Sequence, residues 1–263
     1  MRFSIPSFLT GMILSCLLSL PVFAQDNSEL VTDRPDQTES ASIVPTGSLQ
    51  LEAGVLIGVD ETGSIRTSTW SAPTFLLRIG LSETFEVRLG GELSGEQVRA
   101  IDNDTKLSDT SGFGNIVLGA KARIAEESGI FPELALLTHF ILPFGDMAPE
   151  SIAFADMRIA ASHSLTSSLG LGYNLGLATD ESNPAVLRGL YTVALGTSLS
   201  ERLGSFVEFY GDAPWEDDAA HSFDAGFTWL LAEQLQLDLS AGFGLSESAE
   251  DYFLSTGVSV RVP

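Results

Sequence analysis

The chain has 263 residues and carries 13 Lys and Arg against 35 Asp and Glu, a formal net charge of -22, although 44% of its residues are hydrophobic. Binding to nucleic acid needs a basic surface, so this composition excludes nucleic acid as a partner. The single cysteine, Cys16, likewise excludes a disulfide framework and a cysteine-based metal cluster, and the length favours one sizeable domain.

The first 24 residues have the features of a cleavable secretory signal peptide. Arg2 makes the start positive, the stretch from Phe8 to Leu20 is apolar, and Val22-Phe23-Ala24 is a small-residue ending. We therefore expect residues 1–24 to be removed and the mature chain to begin at Gln25. A lipoprotein cleavage box ending at Cys16 is the alternative, but apolar residues continue beyond that cysteine, where a lipoprotein normally turns polar.

From residue 47 to the end, apolar and polar residues alternate, which is typical of strands with one apolar and one polar face. The pattern is strictest at 234–244, where Leu235, Leu237 and Leu239 alternate with Gln236, Asp238 and Ser240. No apolar run approaches the ~18 residues that a membrane helix needs. The alternation predicts about twelve strands, at 49–57, 67–81, 85–93, 115–124, 132–143, 152–163, 168–177, 189–199, 203–211, 221–230, 234–244 and 252–262.

The connections between these strands alternate between short turns and longer acidic loops. Short turns lie at 82–84, 164–167, 200–202 and 231–233, and longer loops at 94–112, 143–151, 178–188, 211–220 and 245–251. This layout, with strands of about ten residues, is typical of outer-membrane barrels. We therefore predict an all-β fold, an antiparallel transmembrane β-barrel over residues 47–263. A soluble β-sandwich stays open as the alternative, although its outward face should be polar rather than apolar.

The polar strand faces carry charges of both signs. Facing lipid, each would cost ~2–4 kcal/mol near the midplane of the bilayer, whereas facing the lumen they can pair. An ion-pair lattice that keeps the barrel rigid is the favoured interpretation for any single residue, and a selectivity lining is the other. The predicted lumen-lining residues are Glu52, Arg78, Glu86, Arg88, Glu92, Lys121, Arg123, Asp156, Arg158, Asp224, Asp238 and Arg261.

Residues 25–46 precede the first strand and contain Pro35 and Pro45, which disfavour a helix. Two roles are open for this segment. It is either a periplasmic tether or a short plug whose charges dock among those of the lumen. The plug candidates are Asp33, Arg34, Asp36 and Glu39.

Several stretches resemble a known family. The sequence LVTDRPDQTES at 30–40 is followed by VPxGxLQLE at 44–52, RIGLS at 78–82, FEVRL at 85–89 and GFGNxxLGxK at 112–121. These stretches are similar to the start and first strands of the transporters assigned to a MetA-type pathway of phenol degradation. The resemblance covers nearly the whole mature chain and implies an outer-membrane barrel with a role in transport.

Together, the pattern and the resemblance predict a passive channel in the bacterial outer membrane for small molecules, aromatic or apolar ones among them. We expect contacts with outer-membrane lipid and lipopolysaccharide, insertion by the barrel-assembly machinery, and no catalytic, cofactor or metal site. A non-transporting structural protein is the first alternative. A barrel hydrolase is the second, but His139, His163 and His221 lie in no hydrolase motif, and the acidic run 216–218 lacks the spacing of a calcium loop.

Overall fold

A computed structural model of the chain describes residues 28–142, 144–146, 153–179, 186–214 and 218–263. Four sequence predictions therefore fall outside the described residues. These are the signal peptide, the mature start at Gln25, the lipid acceptor at Cys16, and the acids Glu216 and Asp217 of the acidic run.

The described residues form thirteen strands. They are β1 (Leu49–Thr62), β2 (Ile65–Ser82), β3 (Phe85–Ala100), β4 (Lys106–Phe113), β5 (Ile116–Ala125), β6 (Glu133–Leu142), β7 (Ala153–Ser164), β8 (Leu169–Thr179), β9 (Leu187–Ser198), β10 (Leu203–Pro214), β11 (Ala220–Ala232), β12 (Leu235–Gly244) and β13 (Tyr252–Val262). Within the described ranges, no helix is long and apolar enough to cross a membrane.

Twelve of these strands close into an antiparallel ring. Each ring strand pairs with its neighbour in sequence, and β1 pairs with β13 from Leu49 opposite Val262 to Val59 opposite Tyr252. Strand β4 lies outside the ring. The first half of β3 pairs with β5, and the part of β3 from Leu93 onwards pairs with β4. The predicted barrel of about twelve strands is therefore confirmed.

One predicted loop is wrong in part. The stretch 94–112 contains the end of β3 and most of β4, which form a hairpin that extends beyond the ring. All but one of the β4 residues are exposed, and most of them are polar. A hairpin that stands in water needs no apolar face, so it leaves no alternation in the sequence.

The two faces of the ring differ as the alternation predicts. On β12 the side chains of Leu237 and Leu239 are exposed, whereas Gln236, Asp238 and Ser240 are buried. The same parity makes large apolar side chains exposed on every ring strand. An apolar outer face around a polar interior is what a barrel in contact with lipid requires.

Polar side chains rather than apolar ones fill the middle of the barrel. The buried apolar cluster is small and consists of Ala41, Ala135 and Ala160. The largest side chains with almost no exposed surface include Arg78, Arg88 and Lys121. The interior is therefore held by hydrogen bonds and ion pairs, and part of it is filled by the chain that precedes β1.

Candidate functional site in the barrel lumen

Residues 28–46, called the inner segment here, run through the ring of strands without regular secondary structure. Side chains from eleven of the twelve ring strands bond to it in the described part of the chain, which is possible only from inside a closed ring. One contributing residue from each strand is Glu52, Arg78, Arg88, Lys121, Glu133, Ser162, Asn174, Thr192, Glu208, Asp238 and Ser255.

The path of the inner segment forms a loop that enters and leaves at the same end of the barrel. Arg261, close to the end of β13, donates to the carbonyl oxygen of Glu29. Beyond the tip, Val44 donates to Glu86 near the start of β3, and the backbone of Gly47 bonds to Gly80. All three contacts lie at the end of the ring with the short turns. The side chain of Gln37 is exposed and lies at the tip of the loop.

The strongest attachment of the inner segment is at Asp33. Its carboxylate lies 2.9 Å from Arg78, 3.0 Å from Lys121 and 3.1 Å from Arg88, and all four side chains are at most 2% exposed. Burial opposes ionisation of Asp33, but the three cations outweigh this effect and hold its pKa well below its ordinary value. One residue of the segment thus joins three inward-facing cations of the barrel wall.

Five further ion pairs extend this group, which we call the Asp33 cluster, and the longest of them joins Arg88 to Glu86 at 3.9 Å. Arg78 pairs with Glu86 at 2.9 Å and with Glu52 at 3.1 Å, while Glu39 of the inner segment pairs with Arg88 at 2.8 Å and lies 3.7 Å from Lys121. The wall alone contributes three cations and two anions to the cluster. The two acids of the segment change this balance from one positive charge to one negative charge. Its members are Asp33, Glu39, Glu52, Arg78, Glu86, Arg88 and Lys121.

Arg34 holds the opposite side of the lumen. Its guanidinium makes two hydrogen bonds to Asp238, at 3.0 and 3.3 Å, and a third to the hydroxyl of Ser255 at 3.0 Å. A paired contact of this kind is among the stronger hydrogen bonds in proteins. The guanidinium fits against the wall because Gly54 and Gly257 have no side chains; a Cβ at Gly54 would lie 2.5 Å from its Nη2.

A Gly54→Ala substitution should lower the free energy of unfolding by about 1–3 kcal/mol, as expected for overpacking. The added methyl group overlaps both Arg34 and the carbonyl oxygen of Thr256, so Arg34 must move away from Asp238. Urea unfolding of the barrel in lipid vesicles measures the loss. Limited proteolysis of the inner segment checks its cause, because a detached Arg34 exposes the segment.

The matched control for this substitution is Gly196→Ala on β9. This glycine also faces the lumen, but a Cβ there meets nothing within 4 Å. We expect a stability change below about 0.5 kcal/mol, as for sites away from packed features. If the two variants lost the same free energy of unfolding, the close packing of Arg34 against Gly54 would not be what stabilises the barrel here.

The tip of the loop is held by hydrogen bonds. The backbone amide of Gln37 donates to Glu208 at 2.7 Å, and the hydroxyl of Thr38 lies 2.5 Å from the same carboxyl group and 2.7 Å from Thr192. The side-chain amide of Asn174 exchanges two hydrogen bonds with the backbone of Glu39, at 2.8 and 2.9 Å. The described contacts of the tip are therefore hydrogen bonds, whereas Arg34 and Glu39 on either side of it form ion pairs.

Two cavities lie on either side of this tip. One of about 530 Å³ opens towards the short-turn end, between the inner segment and strands β7–β11. Its wall is made mainly of small or hydroxyl-bearing residues, among them Ser162, Gly170, Gly172, Ala194, Gly196 and Ser205. A second cavity of about 220 Å³ is lined by 33–37, Glu39, Leu56, Arg158, Phe253 and Ser255. Both share Arg34, Pro35 and Asp36, so these residues divide the lumen.

The predicted lumen-lining residues all lie on the inward faces of their strands or at the short-turn end. Their role in lining a solute path stays a prediction. Buried are Glu52, Arg78, Glu86, Arg88, Lys121, Asp156, Asp224, Asp238 and Arg261; half-buried are Glu92, Arg123 and Arg158. Of the plug candidates, Asp33 is buried and Arg34, Asp36 and Glu39 are half-buried.

Not all of these residues come together. Asp156 pairs with Arg158 and His139, each at 3.2 Å, away from the Asp33 cluster. Arg123 lies at the short-turn end, 3.5 Å from Glu126 and 3.9 Å from Glu133.

Sequence reasoning missed three residues that hold the tip, namely Glu208, Thr192 and Asn174. Of these, Glu208 could have been predicted to face the lumen, because it lies between Val207 and Phe209, which face outward in a short alternating stretch. Thr192 and Asn174 are uncharged residues in polar positions, and nothing in a single sequence separates them from other such residues. Their contribution is visible only where the inner segment meets them.

Comparisons with known proteins agree with this architecture. A model of the family described as "Putative MetA-pathway of phenol degradation" matches residues 32–262. No curated protein matches the chain in sequence.

Solved structures show the same fold at low sequence identity. An outer-membrane channel from Pseudomonas putida F1 has a TM-score of 0.61 at 14% identity, covering 84% of this chain and 98% of that one. The translocator domain of the autotransporter NalP from Neisseria meningitidis has a TM-score of 0.52 at 15% identity, covering 83% and 90%. The NanC porin has a TM-score of 0.51 at 6% identity, covering 81% and 100%. The fold is thus that of bacterial outer-membrane barrels, as predicted.

Proposed function

The chain belongs to the family of the MetA pathway of phenol degradation, and on this premise we propose that it is a passive channel for small molecules, aromatic or apolar ones among them. The observation that carries the proposal is a closed ring whose lumen holds cavities of about 530 and 220 Å³, which are separated by Arg34, Pro35 and Asp36 of the inner segment. A rigid structural barrel has no need of such cavities. Outer-membrane lipid, lipopolysaccharide and the barrel-assembly machinery are its proposed partners.

The inner segment is the proposed plug of this channel, and residues 47–263 the proposed barrel domain. Support comes from the bonds that the segment makes around the ring and from its position between the cavities. The charged wall residues serve mainly to hold this segment, because the Asp33 cluster and Asp238 bond to it directly. The proposed solute path then follows β7–β11, where most of the side chains that line the lumen are small and uncharged.

Solute uptake into proteoliposomes tests the proposal. Phenols, sugars and fatty acids of known concentration are compared in vesicles with and without the protein, and we expect the protein to accelerate phenol entry. A non-transporting structural barrel is the second candidate, favoured by the number of bonds that keep the inner segment in the lumen. Absence of both uptake and conductance at every pH would support that alternative.

We propose no enzymatic activity. Tyr173 lies 3.3 Å from the ring of His163, Tyr191 bonds to His221, and His139 pairs with Asp156. Among the hydrogen bonds of the described residues, no serine hydroxyl bonds to a histidine ring, which a serine hydrolase would need. Hydrolysis of phospholipid micelles by the purified barrel would overturn this proposal.

The channel should be modestly selective for cations at low salt. Acids at the long-loop end, including Asp102 and Asp104, are exposed and concentrate cations at the entrance, an effect that salt screens over a Debye length of ~8–10 Å. Reversal potentials across a salt gradient measure the selectivity, which should weaken at high ionic strength. Neutralising the acidic run 216–218 should reduce the cation selectivity. Selectivity for anions at low salt would contradict the proposal that acids concentrate cations at the long-loop entrance.

A further inference from the structure

A groove of about 500 Å³ lies on the outer surface of the barrel, where β12, β13 and β1 adjoin. Two of its lining residues, Gly242 and Phe253, occupy inward positions, so the groove reaches the backbone of the sheet. The others occupy outward positions, and all of them are apolar or aromatic. These are Ile57, Val59, Ala241, Phe243, Tyr252 and Leu254.

The floor of the groove is formed by a small side chain among larger ones. Ala241 lies between Leu239 and Phe243 along the outward face of β12. Its direct partners are Leu254 on β13 and a second alanine, Ala225, on β11. A methyl group in such a position leaves space between the larger side chains above and below it, which is the space that the groove occupies.

Phe243 forms one side of the groove and is packed against β11. Its ring lies 5.6 Å from that of Phe223, its direct partner on β11, at an angle of 47°. Tilted pairs of this kind are favourable for aromatic rings. On the other side, Phe243 is the direct partner of Tyr252 on β13. Because its ring packs against Phe223, the space towards Tyr252 stays open.

The position of the groove indicates what covers it. It continues the apolar outer face of the ring of strands, which is the face in contact with lipid. Tyr252 is the first residue of β13, and Phe243 is the last but one of β12, so the groove lies near the long-loop end. Long loops of outer-membrane barrels face the outside of the cell, and the groove therefore lies in the outer leaflet, whose lipid is lipopolysaccharide.

Two polar rings mark the outer limit of the lipid on the same side of the barrel. Tyr191 and His221 face outward on either side of Gly211, and their side chains are hydrogen-bonded to each other. Tyrosine is enriched where the lipid headgroups begin. His221 lies two residues closer to the long-loop end than Phe223, which adjoins Phe243. The groove thus begins just inside the headgroup region.

We propose that this groove binds one acyl chain of lipopolysaccharide, which lies over Ala241 between Phe243 on one side and Ile57 and Leu254 on the other. The inference rests on the proposed contact with lipopolysaccharide and gives that contact a place on the barrel. None of the residues that line the groove is charged, as an acyl chain requires. A cavity of about 150 Å³ holds benzene, so the groove has room for about twelve carbon atoms or more.

Thermal unfolding of the full-length mature protein in detergent tests the site. A ligand that binds the folded barrel raises the midpoint of unfolding as its concentration increases. The probes are purified lipopolysaccharide and phosphatidylethanolamine, each dispersed in the same detergent with magnesium present, and heat-modifiable migration on gels follows unfolding. We expect lipopolysaccharide to raise the wild-type midpoint at concentrations at which phosphatidylethanolamine has no effect.

Ala241→Trp places a large side chain on the floor of the groove. It should weaken the binding of lipopolysaccharide by about tenfold, which corresponds to the burial of about two methylene groups of the chain. Ile57→Ala, which removes most of one side of the groove, should weaken binding in the same direction. This second variant keeps the test valid if the tryptophan variant does not fold.

The matched control is Ala122→Trp on β5. Ala122 also faces outward, but it lies near the short-turn end, opposite Phe85 and Leu136. A tryptophan there should leave the binding of lipopolysaccharide unchanged. An equal loss of binding in Ala122→Trp and Ala241→Trp would overturn the site, because the effect would then not depend on the groove.

Two further outcomes would also overturn the site. One is an equal effect of phosphatidylethanolamine and lipopolysaccharide on the wild-type midpoint, and the other is unchanged binding of lipopolysaccharide in both groove variants. Phenol uptake by the same variants tests the channel separately, because the groove lies outside the lumen. Uptake by a protein that lipopolysaccharide does not stabilise would overturn the site and leave the channel standing. Binding at the groove without uptake would support the site and overturn the channel.

Discussion

Arg78→Met should lower the free energy of unfolding by about 3–5 kcal/mol, the cost of leaving buried charges without their partner. Arg78 is 1% exposed on its side chain and pairs with Asp33, Glu52 and Glu86 at 2.9 to 3.1 Å. Methionine has a similar length and fills much of the space, so the loss reports charge rather than volume. Urea unfolding in lipid vesicles, followed by tryptophan fluorescence, measures it.

Arg66→Met is the control for this experiment. Arg66 also forms an ion pair, with Glu61, but 48% of its side chain is exposed. Surface ion pairs contribute little to stability, so we expect no measurable change. A loss at Arg78 as small as that at Arg66 would mean that the Asp33 cluster does not hold the barrel together.

Leu239→Arg should cost about 2–4 kcal/mol if its position is near the midplane of the bilayer, as measured for charges on the lipid face of barrels. Leu239 lies in the middle of β12 with 49% of its surface exposed, and its neighbours across the sheet are Phe227 and Thr256. The outward faces of these strands are apolar. Unfolding in lipid vesicles, rather than in detergent, is the appropriate measurement.

The same substitution at Leu107 separates contact with lipid from mere exposure. Leu107 is 55% exposed, but it lies on β4, in the hairpin that extends beyond the ring. An arginine there is in water, so Leu107→Arg should leave the free energy of unfolding unchanged. No loss at Leu239 would show that the membrane does not surround the ring at the level of β12, and a large loss at Leu107 would show that the β4 hairpin is not in water.

The ring could be predicted from the sequence because lipid on one side and polar groups on the other impose alternation on every strand. Leu237 and Leu239 mark the outward face of β12, and Asp238 the inward one. A slip of one residue would exchange the two faces, which fixes the register wherever the alternation is clear. Strand β4 left no such signal, because both of its faces are in water.

The inner segment could be predicted only in part. The charges of Asp33 and Arg34 left a docked plug and a periplasmic tether both open, and no route followed from them, because Lys121, one partner of Asp33, lies 88 residues further along the chain. Closure of the ring brings such partners together, and a single sequence gives no measure of that closure. The contact of Glu208 with the tip spans 171 residues and was missed for the same reason.

Adjacent residues of the inner segment bond to strands on opposite sides of the junction where the barrel closes. Asp33 donates its backbone amide to Glu52 on β1, while Arg34 bonds to Asp238 on β12 and to Ser255 on β13. The segment is also the part of the described chain that precedes every strand. In the closed ring, β1 and β13 therefore meet around a segment that bonds to both of them. A junction formed one residue out of register would turn Glu52 or Ser255 towards lipid, and the inner segment would then bond to only one side of the junction.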